Sequence, residues 1–154
     1  MMPKNHLFIS VISTGALYPF WGTKSALAFG LANFFIDLDH YIEYVLVSGK
    51  SDLKGMFLLH EEAIKDFKGL LGLNIFHTIE CYTIVFLFSF LWHPVCYFIL
   101  GGLFFHHICD EIDLVRAGYP FARAFSFLEY FIRRPHCKTV KDIYNNHFLR
   151  NKRI

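Results

Sequence analysis

The sequence predicts an all-α protein: a helical bundle built from two apolar helical hairpins, followed by amphipathic helices at the C-terminal end. Three observations lead to this fold class. Hydrophobic residues make up 55% of the 154-residue chain and aromatic residues 19%, and mean hydropathy is +0.37. Two long apolar stretches are each interrupted by a turn-like sequence, and their arms have helical length. We expect a single domain over 1–154, with the bundle in 5–113 and a basic amphipathic segment in 114–154.

The longer hairpin is predicted between residues 69 and 113. Pro94 disfavours a continuous helix and biases His93 away from helical geometry, so Trp92-His93-Pro94 predicts a tight turn. Helices near 70–91 and 95–114 flank this turn. Their length of about twenty residues is that of one bilayer crossing.

A shorter hairpin is predicted at the N-terminal end. The apolar stretch 5–39 is broken by YPFWG at residues 18–22. Each arm has about fourteen to sixteen residues and a length of about 20–24 Å, which is short for a hydrocarbon core of about 30 Å. Spanning, partly inserted and peripheral arrangements all fit this length.

The C-terminal segment has a different pattern. Gly118-Tyr119-Pro120 marks a break, and large apolar residues then recur at helical spacing. These residues are Phe121, Phe125, Leu128 and Ile132. The predicted amphipathic helix would cover the bundle or lie on a membrane surface. Residues 138–154 are polar and basic and predict a short final helix.

Histidines and carboxylates gather at one end of the predicted bundle. In each hairpin a histidine opens one arm and acidic residues with a histidine close the other, at roughly 20–25 Å from the turn. His77 with Glu80, and His106 with Asp110, have the spacing that places two side chains on one helix face. The full set is His6, Asp37, Asp39, His40, His77, Glu80, His106, His107 and Asp110.

This residue set indicates a metal site. Imidazole and carboxylate groups together bind Zn²⁺, Mn²⁺ or Fe²⁺, and facing helices of bundles commonly carry such ligands. A single histidine–carboxylate pair is more often an ion pair or a helix cap, but four such groups at one level favour a metal. A bound divalent metal lowers the pKa of water and polarises phosphoryl or carbonyl oxygens, which suits hydrolysis.

Charge and cysteine content narrow the function classes. A net charge of +2 gives no reason to expect a nucleic-acid partner, and the four cysteines lack the spacing of a disulfide framework or zinc ribbon.

Lys24 is the one basic residue on the side of the bundle where the two hairpin turns lie. In a spanning arrangement, the positive-inside tendency therefore places the site at the cytoplasmic face of an inner or plasma membrane.

The sequence motifs that contain these histidines and carboxylates resemble those of a family of LexA-binding, inner-membrane-associated, metal-dependent hydrolases. That family's pattern is an early His, a Pro-Asp-x-Asp-His box, a His-Ser or Thr-His-Ser box and a Gly-x-x-x-His-x-x-x-Asp box. Here the corresponding residues are His6, IDLDH at 36–40, FHTIE at 76–80 and GLFFHHICD at 102–110. Ile36 replaces the usual proline, and the His-Arg pair expected shortly before His77 is absent.

The resemblance implies a membrane-associated hydrolase that uses metal-activated water. The family is itself similar to the zinc phospholipase C and P1 nuclease group, which implies phosphodiester or phospholipid substrates. Zinc is the expected metal, with manganese or iron as alternatives, and membrane lipid and a small-molecule or lipid phosphoester are the expected partners. We expect these metal ligands: His6, Asp37, His40, His77, His106 and Asp110.

Asp39 and Glu80 are the expected catalytic residues, as ligands, as groups that orient the ligands, or as a general base. Two other classes of function stay open. One is a non-catalytic membrane protein with a structural metal or a polar cluster. The other is an ion or proton transporter, because ionisable groups within a membrane often mark a pathway.

Overall fold

The computed structural model describes residues 3–66 and 68–149, and it confirms the all-α prediction. Short 3₁₀ turns occupy Ile75–His77 and Arg134–His136, and a π-helical turn occupies Asn145–Leu149. The α-helices are α1 (Pro3–Phe35), α2 (Leu38–Ser48), α3 (Leu53–Lys65), α4 (Ile79–Leu91), α5 (Val95–Arg116), α6 (Phe127–Arg133) and α7 (Val140–Tyr144).

Helix α1 consists of two arms that fold back on each other at Gly22. Gly22 has φ 72° and ψ 172°, a backbone conformation that glycine adopts readily because it has no Cβ. The arms meet where Asn33 Nδ2 donates to Ser13 Oγ at 3.4 Å. A Cβ on Gly30 would collide with the Thr14 side chain of the opposite arm. The predicted N-terminal hairpin is therefore confirmed, with its turn at the last residue of YPFWG.

Helices α4 and α5 form the second hairpin, and the predicted turn at Trp92-His93-Pro94 is confirmed. The predicted start of its first arm, near residue 70, is wrong. Helix α4 begins at Ile79, where the Thr78 side chain accepts a hydrogen bond from Cys81 N at 3.4 Å and caps the helix. The arm is consequently 13 residues long, about 20 Å.

The residues before α4 are extended because they pair with distant parts of the chain. Leu71 N donates to Lys138 O at 2.9 Å, and Gly72 N donates to Ala122 O at 2.8 Å. These hydrogen bonds satisfy backbone groups that a helix would otherwise pair internally. Long-range pairing therefore overrides the helical preference of a locally apolar sequence.

The two hairpins pack together mainly through α1 and α5. Ile36, Tyr82 and Leu103 form a buried cluster between α1, α4 and α5. A second apolar cluster, around Tyr44 and Ile143, joins α2, α3 and α7. The polar end of the hairpin bundle thus lies beside a smaller helical lobe.

The outward faces of the hairpins carry exposed apolar side chains. Phe90, Leu91 and Trp92 at the end of α4 are 73%, 77% and 77% exposed. Among the described helices, α5 is the one whose length and composition allow it to cross a membrane, and α4 is a shorter apolar helix. A single such helix is weak support for membrane association.

The amphipathic C-terminal helix is shorter than its sequence pattern predicts. Phe121 and Phe125 precede α6, because Ala124 N donates to Gly72 O at 3.1 Å and holds this stretch extended. Leu128 and Ile132 lie on α6 but are 70% and 64% exposed. That face of the helix does not cover the bundle.

The close approach of α5 to α1 depends on Gly102. A Cβ at this position would collide with the carbonyl oxygen of Phe29 and lie 3.1 Å from Asn33 N. We expect Gly102→Ala to lower the free energy of unfolding by about 2 kcal/mol, because neither backbone group can move without separating the helices.

Gly101→Ala is the matched control, since its Cβ would meet the Phe29 ring at 3.7 Å, an ordinary contact. Alanine is the better helix former, so this variant should match the wild type or gain up to about 1 kcal/mol. Chemical denaturation of both variants measures the difference. Equal stabilities would contradict the packing argument.

Candidate metal centre

Two histidines and two carboxylates converge at the polar end of the bundle. His6 lies in the first arm of α1, Asp37 lies at the corner between α1 and α2, and His106 and Asp110 lie one turn apart on α5. Each offers one ligand atom, and these atoms all lie within 4.8 Å of one another. The prediction that these residues meet is confirmed.

The distances between the ligand atoms suit a metal ion. His106 Nε2 lies 3.3 Å from Asp37 Oδ1 and 3.6 Å from Asp110 Oδ2, and His6 Nε2 lies 3.4 Å from Asp110 Oδ1. A tetrahedral zinc ion with bonds of 2.0–2.1 Å separates its ligand atoms by about 3.3–3.4 Å. The group can therefore hold a divalent metal after small adjustments.

The His106 ring is oriented by contacts on its far side. Its Nδ1 donates to the carbonyl oxygen of Asn33 at 2.7 Å, and the ring stacks on His6 with a centroid separation of 4.3 Å. With Nδ1 carrying the hydrogen, neutral His106 has its lone pair on Nε2. That Nε2 is buried, and no residue in the described ranges hydrogen-bonds to it.

The His77 ring is oriented in the same way by Asp39. His77 Nδ1 lies 3.0 Å from Asp39 Oδ2, which also accepts from Phe76 N at 3.3 Å. His77 Nε2 lies 3.6 Å from Asp110 Oδ2 and has no hydrogen-bond partner in the described part of the chain. Histidines that ligate metals commonly donate their other nitrogen to a carboxylate or a backbone carbonyl.

The group carries an excess of negative charge, which favours binding of a cation. Burial raises the pKa of Asp37 and Asp39, but the His106 ring beside Asp37 and the hydrogen bond between His77 and Asp39, together with nearby positive charge, lower both pKa values below the usual range. Asp110 is paired with Arg123, whose Nη2 donates to Oδ2 at 2.8 Å. Burial lowers the pKa of His106, but Asp110 and Asp37 raise it to about 9. A divalent ion that displaces the His106 proton would neutralise the two negative charges that remain when three carboxylates face one guanidinium.

A cavity of about 940 Å³ opens beside this group. His6, Asp37 and Asp110 lie on its wall, and most of the remaining wall is apolar, with Phe57 and Leu59 from α3. Burial and the Asp39 charge raise the pKa of Glu43, also on the wall, to about 8. The cavity is thus a mostly apolar space whose wall includes residues of the metal group.

The remaining predicted site residues lie at different distances from the group. His40 Nε2 lies 3.6 Å from Asp37 Oδ1, and Asp39 contacts the group through His77. Glu80 lies apart: its Oε1 accepts from Phe127 N at 3.0 Å at the start of α6, and the cavity wall does not include it. The catalytic role of Glu80 stays a prediction, and its described contact is structural.

Sequence reasoning missed several neighbours of the site. Arg123 reaches the site from an irregular stretch and Asn74 from an extended segment. Neither segment has the repeating apolar pattern that would have predicted its place. His60 also lies near the site, with its ring centroid 4.7 Å from that of His40. Burial lowers the pKa of His60 to about 3. Asn33 could have been noticed from the sequence, because it is the one side-chain amide between residues 6 and 39.

The fold and the site define a class: an all-α protein with a buried histidine–carboxylate group that can hold a metal ion. A scan against protein-family models, a search of curated proteins and a search of solved structures found no match to this chain.

The Asp39–His77 contact leads to a prediction. We expect Asp39→Asn to weaken metal affinity about 10- to 100-fold, because a neutral amide holds the His77 ring and its basicity less well than a carboxylate. Competition with a chelator of known affinity measures the change. Asp66→Asn is the control, since that carboxylate pairs with Lys138 at the surface. Equal affinities of the two variants would contradict the assigned role of Asp39.

Proposed function

We propose that this protein is a membrane-associated, metal-dependent hydrolase that acts on phosphoesters with an apolar chain. The observation that carries the proposal is the arrangement of His77 and His106. In both, Nδ1 is held by an acceptor, and the buried Nε2 is directed toward Asp110 without a hydrogen bond. Leaving such nitrogens unpaired costs about 1–3 kcal/mol each unless something binds them.

His6, Asp37, His106 and Asp110 would hold the metal, and His77, whose Nε2 lies 3.6 Å from Asp110 Oδ2, would be a further ligand. Zinc is favoured by the mixed nitrogen and oxygen ligands, and manganese and iron accept the same set. When bound, such a metal supplies a water of lowered pKa and polarises a phosphoryl oxygen. The motif resemblance to membrane-bound metal-dependent hydrolases supports the same chemistry.

The cavity supports the substrate class. Residues of the metal group lie on its wall, and the mostly apolar remainder of the wall suits an acyl or alkyl chain. Access from a bilayer would explain why α1, α4 and α5 expose so many large apolar side chains. A lipid-like phosphoester would place its headgroup at the metal and its chain along α2 and α3.

Elemental analysis of the purified protein is the first test. We expect a stoichiometric divalent metal, and we expect a chelator to remove both the metal and the hydrolysis of phospholipid in vesicles. Across a series of phosphoesters, KM should fall as the apolar chain lengthens. A protein that takes up no added zinc, manganese or iron would overturn the hydrolase proposal.

The same experiment distinguishes a hydrolase from a non-catalytic metal protein. Stoichiometric metal without turnover of any phosphoester, in vesicles or in solution, would mean a structural metal site. Turnover without dependence on chain length would overturn the lipid-like substrate and leave the metal chemistry in place.

A further inference from the structure

The orientation of the Asn74 side chain is fixed by two neighbours. Arg123 Nε donates to Asn74 Oδ1 at 3.1 Å, and a guanidinium has no acceptor, so the atom facing it must be the amide oxygen. On the other side, Asn74 Nδ2 lies 3.4 Å from Asp39 Oδ1. An ionised carboxylate only accepts hydrogen bonds, so the atom facing Asp39 must be the amide nitrogen.

The second hydrogen of the Asn74 amide points at His40. Asn74 Nδ2 lies 3.1 Å from His40 Nδ1. Because Asn74 is the donor in this contact, His40 Nδ1 must accept and cannot carry a hydrogen. A neutral imidazole with a bare Nδ1 carries its hydrogen on Nε2. The relay from Arg123 through Asn74 therefore selects one tautomer of His40.

This tautomer is opposite to that of the other two oriented histidines. His77 and His106 donate through Nδ1, so in their neutral forms the lone pair lies on Nε2, which is directed toward Asp110. His40 instead turns an N–H group toward the site. A metal ion needs the lone pair of a histidine nitrogen, so His40 in this state offers it nothing through Nε2.

The surroundings of His40 Nε2 leave its hydrogen available to a ligand. The atom lies 3.6 Å from Asp37 Oδ1, beyond hydrogen-bond distance. His40, partly buried with 20% of its side chain exposed, lies on the wall of the cavity beside Asp37 and Asp110. An oxygen of a molecule in the cavity would complete the hydrogen bond.

We propose that His40 does not ligate the metal, and that it donates its Nε2 hydrogen to an oxygen of the bound phosphoester, in the tautomer set by Arg123 and Asn74. This inference rests on the proposed function for the identity of the substrate, and it revises the expectation that His40 is a ligand. His40 would be a catalytic residue, while Asn74 and Arg123 would be positioning residues.

The tautomer is measured by two-bond ¹H–¹⁵N NMR spectroscopy of the full chain labelled at histidine, without and with zinc. The His40 signals are assigned by their loss in His40→Gln. We expect the His40 hydrogen on Nε2 in both states, while His106 Nε2 shifts on zinc addition. A hydrogen on Nδ1, or a His40 Nε2 that takes a zinc-bound shift, would overturn the inference.

Metal content and kinetics give a second, independent readout. His40→Gln and His40→Ala should keep stoichiometric zinc. Because the glutamine amide places a donor near the position of Nε2, His40→Gln should retain kcat/KM within about 10-fold, and His40→Ala should lose about 100-fold. Loss of zinc from both variants, with helical content unchanged, would make His40 a ligand and overturn the inference.

Asn74→Asp tests the relay itself. Its side chain accepts at both oxygens, so the His40 hydrogen should move to Nδ1 and kcat/KM should fall about 100-fold while zinc stays bound. An unchanged tautomer would overturn the role of Asn74. If the wild type binds no metal, the proposed function fails, but the tautomer of His40 is still read in the metal-free protein.

Discussion

Replacing His106 with alanine is expected to remove the metal and to lower phosphoester hydrolysis by about 10³-fold or more. His106 Nε2 is within 3.6 Å of both Asp37 and Asp110, so the substitution removes the ligand atom that lies between the two carboxylates. The effect should exceed the 10- to 100-fold typical of losing a residue that only orients a ligand. Elemental analysis and initial rates of the variant, beside those of the wild type, measure both effects.

His107→Ala is the control for this prediction. It makes the same chemical change on the next residue of α5, where adjacent side chains do not share a face. The centroid of the His107 ring lies 5.8 Å from those of the Tyr82, Phe125 and His77 rings, whereas His106 Nε2 contacts Asp37 and Asp110. The control should keep its metal and most of its activity. If both variants lose metal equally, the observed loss reflects damage to α5, and the assignment of His106 as a ligand fails.

Replacing Arg123 with methionine is expected to lower the free energy of unfolding of the metal-free protein by about 3–5 kcal/mol. Arg123 is 8% exposed and bonds to Asp110 at 2.8 Å. Removing one member of a buried ion pair leaves the other charge uncompensated in apolar surroundings. Chemical denaturation at low ionic strength measures the loss.

Two comparisons make the Arg123→Met prediction specific. Arg134→Met removes an exposed guanidinium that lies over the Tyr130 ring, and it should cost less than about 1 kcal/mol. Added zinc should restore part of the stability of Arg123→Met, because the metal supplies the positive charge that Asp110 has lost. An Arg123→Met protein as stable as Arg134→Met would contradict the electrostatic account of the site.

The hairpins and the meeting of the motif residues were predictable because their causes are local. Pro94 stops one helix and permits the next, and Gly22 adopts a backbone conformation closed to most residues. Once the turns are fixed, similar helical distances from turn to polar residue place His6, His106 and Asp110 at the same end of the bundle. Helical geometry alone is enough to predict that these residues meet.

The rest of the site could not be predicted because its causes are long-range. The apolar sequence after residue 70 is locally compatible with a helix, and it is extended only because Leu71 and Gly72 pair with residues 138 and 122. The same pairing places Asn74 beside Arg123. A hydrogen-bond relay between positions 49 residues apart leaves no periodic trace in either segment.

The pairing of Gly72 with the segment around Arg123 bears on how the protein is made. During synthesis α1 to α5 leave the ribosome first, carrying the histidines and carboxylates of the site. The guanidinium that balances Asp110, and the backbone contacts that hold the segment of Asn74, arrive only with the residues that follow α5. The nascent protein therefore holds an acidic, half-assembled centre until that later segment folds back. We expect the site to mature only after the segment that follows α5 has been synthesised.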